Sequence, residues 1–328
     1  MSPPSRTAVS PGKIILSGEH SVAFAQPAVA LAVDRHAIAE ITEIEAPVVS
    51  VTFANQPQIA MPLDELPALV DRLDQLHAEF IAGRRSIREV LSSPAELLLY
   101  TLALTRPARG LRVTLQLTIP HGSGMGSSAA VILALLRAAL PDADRSELMS
   151  PALRAENLQH GRSSGIDLHT CLNGGLHLFQ HGEARPLPAF PLPFDLVHTG
   201  VPASSTGECV ARVRERHAGS AIWQDFGEIT RATADALLKT DAPMWRQAIR
   251  ANHRLLQKIG VVPAPVAAFI RQVEEAGGAA KICGAGSVEG DCGGIVLVTG
   301  ISDFYPLLAG RGYELNPVTM DRDGTRLG

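Results

Sequence analysis

Ile119-Pro120-His121-Gly122-Ser123-Gly124-Met125-Gly126-Ser127-Ser128-Ala129-Ala130 is the stretch on which the reading of this chain turns. An alternating run, Leu111 to Thr118, precedes it and predicts a strand; the apolar run Val131 to Leu140 behind it predicts a helix. Strand, glycine loop and helix opening on paired serines make an anion site on physical grounds. Glycines allow positive φ and close backbone approach, while the free N–H groups and dipole of the first helical turn face a bound anion. Serine hydroxyls at that end can donate to phosphate or offer oxygen to a metal ion. The loop lacks the Gly-Lys-Ser/Thr ending of a Walker loop. It also carries Ser127 where a Rossmann fingerprint needs its third glycine.

Outward from the loop, two further glycine-bearing stretches frame the chain. Upstream, Pro11-Gly12 leads into the buried-strand run Lys13-Ile14-Ile15-Leu16 and then the polar turn Ser17-Gly18-Glu19-His20. β-Branched residues between Asp34 and Phe53 predict two strands about a turn at Ala46-Pro47, and with the first run they read as an early antiparallel sheet. Leu66, Leu69, Val70, Leu73 and Leu76 recur at helical spacing, and Pro94 opens another helix. Downstream, residues 145–160 read as a helix bearing Glu156, followed by His160-Gly161-Arg162-Ser163-Ser164-Gly165-Ile166-Asp167-Leu168. Ser164 and Asp167 have the spacing of a capping box, which alone accounts for the aspartate. Taken singly, Glu19-His20 reads as a solvated turn and Glu156 as a surface acid. A proline cluster at Pro186, Pro188, Pro191 and Pro193 reads as a domain boundary. Beyond it come a strand ending near Thr199, long helices to about residue 276, and Lys281-Ile282-Cys283-Gly284-Ala285-Gly286 before the buried run Gly293 to Val298.

The chain has 328 residues, 46% of them hydrophobic and 19% charged, which suits two globular domains. A formal charge of −4 gives no sign of a nucleic-acid or anionic-membrane partner. Four scattered cysteines without a CxxC pair argue against a disulfide framework or zinc ribbon. With no secretory pattern at Met1 to Arg6 and no apolar run of spanning length, a cytoplasmic protein is expected. The histidines at 160, 169, 177 and 181 lack an HExxH-type pattern, so a metal hydrolase is disfavoured.

The three glycine-bearing stretches, in this order and with Glu156 and Asp167 between the last two, resemble the GHMP small-molecule kinases. That family is named after galacto-, homoserine, mevalonate and phosphomevalonate kinases. Pro11 to Val22 is most similar to the mevalonate kinase branch, with its lysine and Gly-Glu-His. The resemblance implies an α+β, two-domain GHMP kinase fold: an N-terminal ribosomal-protein-S5-like domain (residues 1–185) and a C-terminal ferredoxin-like domain (residues 186–328). It implies ATP and Mg²⁺ as cofactors. Pro120, Gly122, Ser123, Gly124, Met125, Gly126, Ser127, Ser128 and Ala129 would cradle the ATP phosphates; Ser128 and Glu156 would hold Mg²⁺. Asp167 would accept the proton of the attacking hydroxyl, and Lys13 would lower that hydroxyl's pKa and pair with Asp167 or the γ-phosphate. Glu19, His20, Thr199, Gly284 and Ala285 would contact the substrate, mevalonate or a close relative, with a homodimer also in keeping. No nucleic acid or membrane partner is implied.

Three departures stand out. Mevalonate kinases usually show proline at the Ser163 position and often asparagine at the Leu168 position. Ser287 to Cys292 also intervenes between glycines that the family packs together, adding two acids. Other acceptors therefore stay open, a phosphorylated one included, because Arg162 or Arg212 could bind an extra phosphate. Galactokinases usually carry arginine at the Lys13 position and homoserine kinases lack Gly-Glu-His. A non-catalytic nucleotide-binding homologue is the alternative from another class.

Overall fold

The computed structural model describes residues 5–53, 58–120, 122–188 and 192–328. Met1 to Pro4, His121 of the quoted loop and Pro191 of the proline cluster lie outside them.

Strands β1 (Ser5–Ser17) and β2 (Ala28–Ile44) form a long antiparallel ladder that carries the site. Its register slips between Pro11 and Gly12 and again between Ile15 and Ser17. Such bulges bend a strand and re-aim its side chains, here about Lys13. β3 (Val48–Phe53) and β4 (Ile59–Pro62) follow after the turn. β2 and β3 are not ladder neighbours, contrary to the simple antiparallel reading. After helices α1 (Leu66–Ile81) and α2 (Pro94–Ala103), β5 (Gly110–Leu117) inserts between them, antiparallel to β2 and parallel to β3. Strand propensity is local, but the partner is chosen by a segment about sixty residues downstream.

The glycine loop leads into α3 (Ser127–Ala139), whose residues Ala129 to Ala138 are all buried against the sheet and its neighbours. Arg137 in that apolar run turns its guanidinium to the carbonyls of Pro141 (3.3 Å) and Ala143 (2.6 Å), satisfying chain beyond the helix end. α4 (Arg145–His160) starts at a capping box of Asp144 and Glu147, and α5 (Ile166–Asn173) follows. Strands β6 (Leu176–Gln180) and β7 (Glu183–Leu187) form a hairpin on β2. β7 crosses residues 185 and 186, where the domain boundary was expected; its Pro186 is tolerated because the strand pairs only with β6.

β8 (Asp195–His198) opens a second sheet. Helices α6 (Thr206–His217), α7 (Ile222–Lys239), α8 (Ala242–Lys258) and α9 (Ala264–Glu275) come next, then β9 (Ala279–Ile282), β10 (Ile295–Thr299) and β11 (Glu314–Leu315). The second sheet has the order β11-β8-β10-β9. β12 (Arg326–Leu327) returns to the edge of β1, so the first sheet both begins and ends the chain. A buried polar chain ties the end of β1 to the later helices: Ser17 Oγ lies 2.8 Å from Thr230 Oγ1 of α7 and accepts from Asn252 Nδ2 of α8 at 2.8 Å. Among the described residues no helix is long and apolar enough to cross a membrane.

Candidate active site

The glycine loop is held in place from two sides. Lys13 N–H donates to Met125 O at 2.8 Å, and Ile295 N–H donates to Ser123 O at 3.2 Å. Gly12 permits the first contact, since a Cβ there would sit 2.8 Å from Met125 O. Gly126, with φ of 71°, ends the loop and starts α3; a Cβ on it would come within 3.0 Å of the Lys13 side chain. Only glycine takes that conformation freely and leaves the lysine room. The free N–H groups of the α3 first turn are thereby presented beside Lys13.

Loop and helix end border a cavity of about 440 Å³ that gathers residues from β1 of the first sheet and from the loops that flank the second. Lys13, Glu19, His20, Gly122, Ser123, Gly124, Gly126, Ser127, Ser128, Glu156, Asp167, Gly284 and Ala285 of the expected set line it. Pro120, Met125, Ala129 and Thr199 do not. The side chains of Met125 and Ala129 are buried, 1% and 0% exposed. Thr199 is spent on structure: its hydroxyl donates to Gly294 O at 2.9 Å and accepts from Gly293 N at 3.0 Å, stapling the end of β8 to the turn before β10.

Asp167 does not form the expected capping box. Gly165 is the residue before α5, with no side-chain cap. The carboxylate instead lies 3.1 Å from Lys13 Nζ, which also donates to Gly124 O at 3.3 Å. Lys13 is almost wholly buried, whereas the Asp167 side chain is 22% exposed and so reachable from the cavity. Glu156 is buried at the end of α4, and desolvation, then the charge of Asp167, push its carboxyl up from the ordinary range. Ser163 Oγ donates to Glu156 Oε2 at 2.5 Å and accepts from Gly165 N at 3.0 Å. The hydroxyl at this unusual position therefore joins the acid to the Asp167 turn. Ser128 Oγ lies 3.3 Å from His160 Nε2, whose ring burial holds it below the usual histidine range.

The turn after β1 is equally closed. His20, at φ 59°, places Nε2 2.9 Å from Ala285 O, and burial pulls its pKa down to about 4. Glu19 is ion-paired to Lys281 of β9, both almost wholly inaccessible to solvent. Lys281 was visible in sequence only as part of the third glycine stretch; the signal for a buried partner was a lysine inside the apolar run Ala279 to Ile282. Arg162 lines the cavity, and no carboxylate partner engages it among the described residues. Arg212 is paired with Glu289 at 2.7 Å and lies outside the lining. The Ser287 to Cys292 segment thus has a packing role: Ser287 Oγ bonds Glu289 O at 2.6 Å and contacts Ser204 at the cavity rim.

Residues 92–175 match the family model described as GHMP kinases N terminal domain. The mevalonate kinase of Thermococcus sibiricus is 30% identical over 296 residues, covering 85% of this chain and 86% of that protein. The chain belongs to the GHMP kinase family. Solved structures agree on the fold. The mevalonate kinase of Methanococcus jannaschii superimposes with a TM-score of 0.76 at 19% identity, covering 96% of this chain and 98% of that one. The phosphomevalonate kinase of Streptococcus pneumoniae, in complex with phosphomevalonate and AMPPNP, gives 0.69 at 16% identity, covering 96% and 99%. The GHMP kinase assignment makes the chain a member of a transferase family of ATP-dependent kinases, with the mixed α+β architecture described above.

Proposed function

We propose that this GHMP kinase transfers the γ-phosphoryl group of ATP to the hydroxyl of mevalonate. The observation that carries the reading is the Lys13–Asp167 pair at 3.1 Å beside the open end of α3, within one cavity. Phosphoryl transfer to an alcohol needs held phosphates, a placed hydroxyl and a proton acceptor. The loop from Gly122 to Ser128 cradles the phosphates on backbone N–H groups. Asp167 takes the hydroxyl proton while Lys13 holds that carboxylate in place and meets the negative charge that develops on the attacking oxygen. Glu19 and His20 present the acceptor. A molecule that only bound nucleotide would have no use for a proton acceptor paired to a buried lysine.

The donor set also suits a hard cation. Ser128 and Glu156 offer oxygen, the carboxyl is buried and crowded by Asp167, and no cluster of three or more His, Cys, Asp or Glu ligands stands among the described residues. Such a partial set fits Mg²⁺, which takes its other ligands from phosphate and water; when bound it neutralises phosphate charge. Mevalonate as acceptor is supported by the naming of relatives such as that of Thermococcus sibiricus and by Arg212 being occupied by Glu289. A phosphorylated acceptor has Arg162 in its favour, a cation on the cavity wall that no carboxylate engages among the described residues.

ADP release with ATP, Mg²⁺ and, separately, mevalonate, phosphomevalonate, homoserine and galactose tests the reading. Turnover on mevalonate should fall by about 10²–10⁴-fold in Asp167→Asn, with ATP still bound. Turnover on another acceptor alone would replace the substrate. ATP binding without turnover on any of them would overturn the kinase reading.

A further inference from the structure

Lys281 stands in β9 between Ala280 and Ile282, every residue of that strand buried, and is itself 0% exposed. An ammonium in such surroundings persists only when paired. Its Nζ donates to Ile15 O of β1 at 3.2 Å and to Glu19 Oε1. One oxygen of Glu19 is thus committed. The other, Oε2, is buried, has no hydrogen-bond partner among the described residues, and belongs to a side chain that borders the cavity. The turn bearing it cannot readily swing away. Gly18 at φ 99° abuts Ala28, where a Cβ would lie 2.5 Å from backbone, and His20 is tied to Ala285 O at 2.9 Å. Both anchors of the turn, at 281 and 285, come from the same third glycine stretch.

We infer that Lys281 is a positioning residue: it holds Glu19 so that the free Oε2 accepts a hydrogen bond from a hydroxyl of the acceptor alcohol. The inference rests on the kinase reading above and adds a specificity element to it, because a buried acceptor without a donor selects for a ligand that supplies one. Burial drives the Glu19 carboxyl up, and Lys281 is the foremost influence opposing it, with Lys13 a weaker one. The other titratable groups facing the pair are neutral near pH 7. Burial takes His20 and His253 down to about 4 and the Cys283 thiol up to about 11.

A double-mutant cycle on the full chain tests this, with Lys281→Met, Glu19→Gln and the two combined. Acceptor KM, kcat and the Kd of a fluorescent ATP analogue are measured from pH 6 to 9. Each single change should raise acceptor KM by roughly tenfold and leave nucleotide Kd near that of the unmodified chain. The combination should cost no more than the worse single change. In Lys281→Met the acceptor KM should improve as pH rises, because the carboxyl then titrates without its cation; the double variant should lose that dependence. Losses that multiply in the double variant, or a nucleotide Kd that rises in step with KM, would overturn the inference and leave Lys281 a purely structural group. Should Lys281→Met fail to fold, the double variant, which strands no buried charge, is compared with Glu19→Gln alone: equal KM supports the inference and a larger KM refutes it. Failure of the unmodified chain to phosphorylate any alcohol would instead bring down the kinase reading, and this inference with it.

Discussion

Ser163→Ala removes one hydroxyl and disturbs two hydrogen bonds at once. The hydroxyl donates to Glu156 Oε2 at 2.5 Å and accepts from Gly165 N at 3.0 Å, two residues before Asp167. A hydrogen bond to a charged group contributes about 1.5–3 kcal/mol, which corresponds to a factor of roughly 10–150. Residues that orient a metal ligand typically change metal affinity by about 10–100-fold. Since Glu156 is buried, water cannot readily replace the lost donor. The Mg²⁺ concentration for half-maximal ATP binding should therefore rise by about 10–100-fold in Ser163→Ala, with Ser163→Thr restoring most of it. Calorimetric titration of ATP at graded Mg²⁺ measures this without turnover, and acceptor KM serves as the contrast. An unchanged Mg²⁺ requirement, or an equal loss at the acceptor, would refute the claim that this hydroxyl orients Glu156.

Gly126→Ala places a Cβ 3.0 Å from the Lys13 side chain at φ 71°; the strained backbone costs about 1–2 kcal/mol, so both melting temperature and kcat should fall, the latter by at least roughly tenfold if Lys13 is displaced. Arg162→Gln should raise KM for the anionic reactant it meets by roughly tenfold, whereas Arg212→Gln, whose guanidinium is paired with Glu289, should not; steady-state kinetics on ATP and each acceptor distinguishes them. His20 and His253, held neutral at about 4 in the folded chain, bind protons more readily once unfolded. Stability should then be full above pH 6.5 and decline as pH falls toward 4, by up to about 3 kcal/mol per histidine. Thermal melts across that range should show the decline, and His253→Gln should flatten it.

The glycine loop and the helix start behind it were legible in the order of residues. Gly122 to Ser128 read as an anion loop because positive φ, close approach and an uncapped helix start are local properties of backbone and dipole. Lys13 and Asp167 were assigned by resemblance, and their pairing is a matter of geometry that the family pattern only anticipated. The pattern did not foretell that the Met125 and Ala129 side chains are buried or that the Thr199 hydroxyl bonds Gly293 and Gly294, because membership in a motif does not tell which side of the loop a side chain faces. The capping-box spacing at Ser164 and Asp167, which taken alone accounts for the aspartate, forms no cap: that carboxylate is paired with Lys13.

Whereas the acids and the lysine took their expected roles only from the family resemblance, the order of residues determined by itself the run of strands and helices and a glycine loop of a kind suited to an anion. These follow from periodicity, glycine content and helix-end chemistry, all of short range. Tertiary structure alone decided that β5 separates β2 from β3 and that Glu19 meets Lys281 across 262 positions of sequence. Such choices depend on which distant segments share one dry interior: there the cost of an unpaired charge is high enough to select its partner, and no local pattern records that cost.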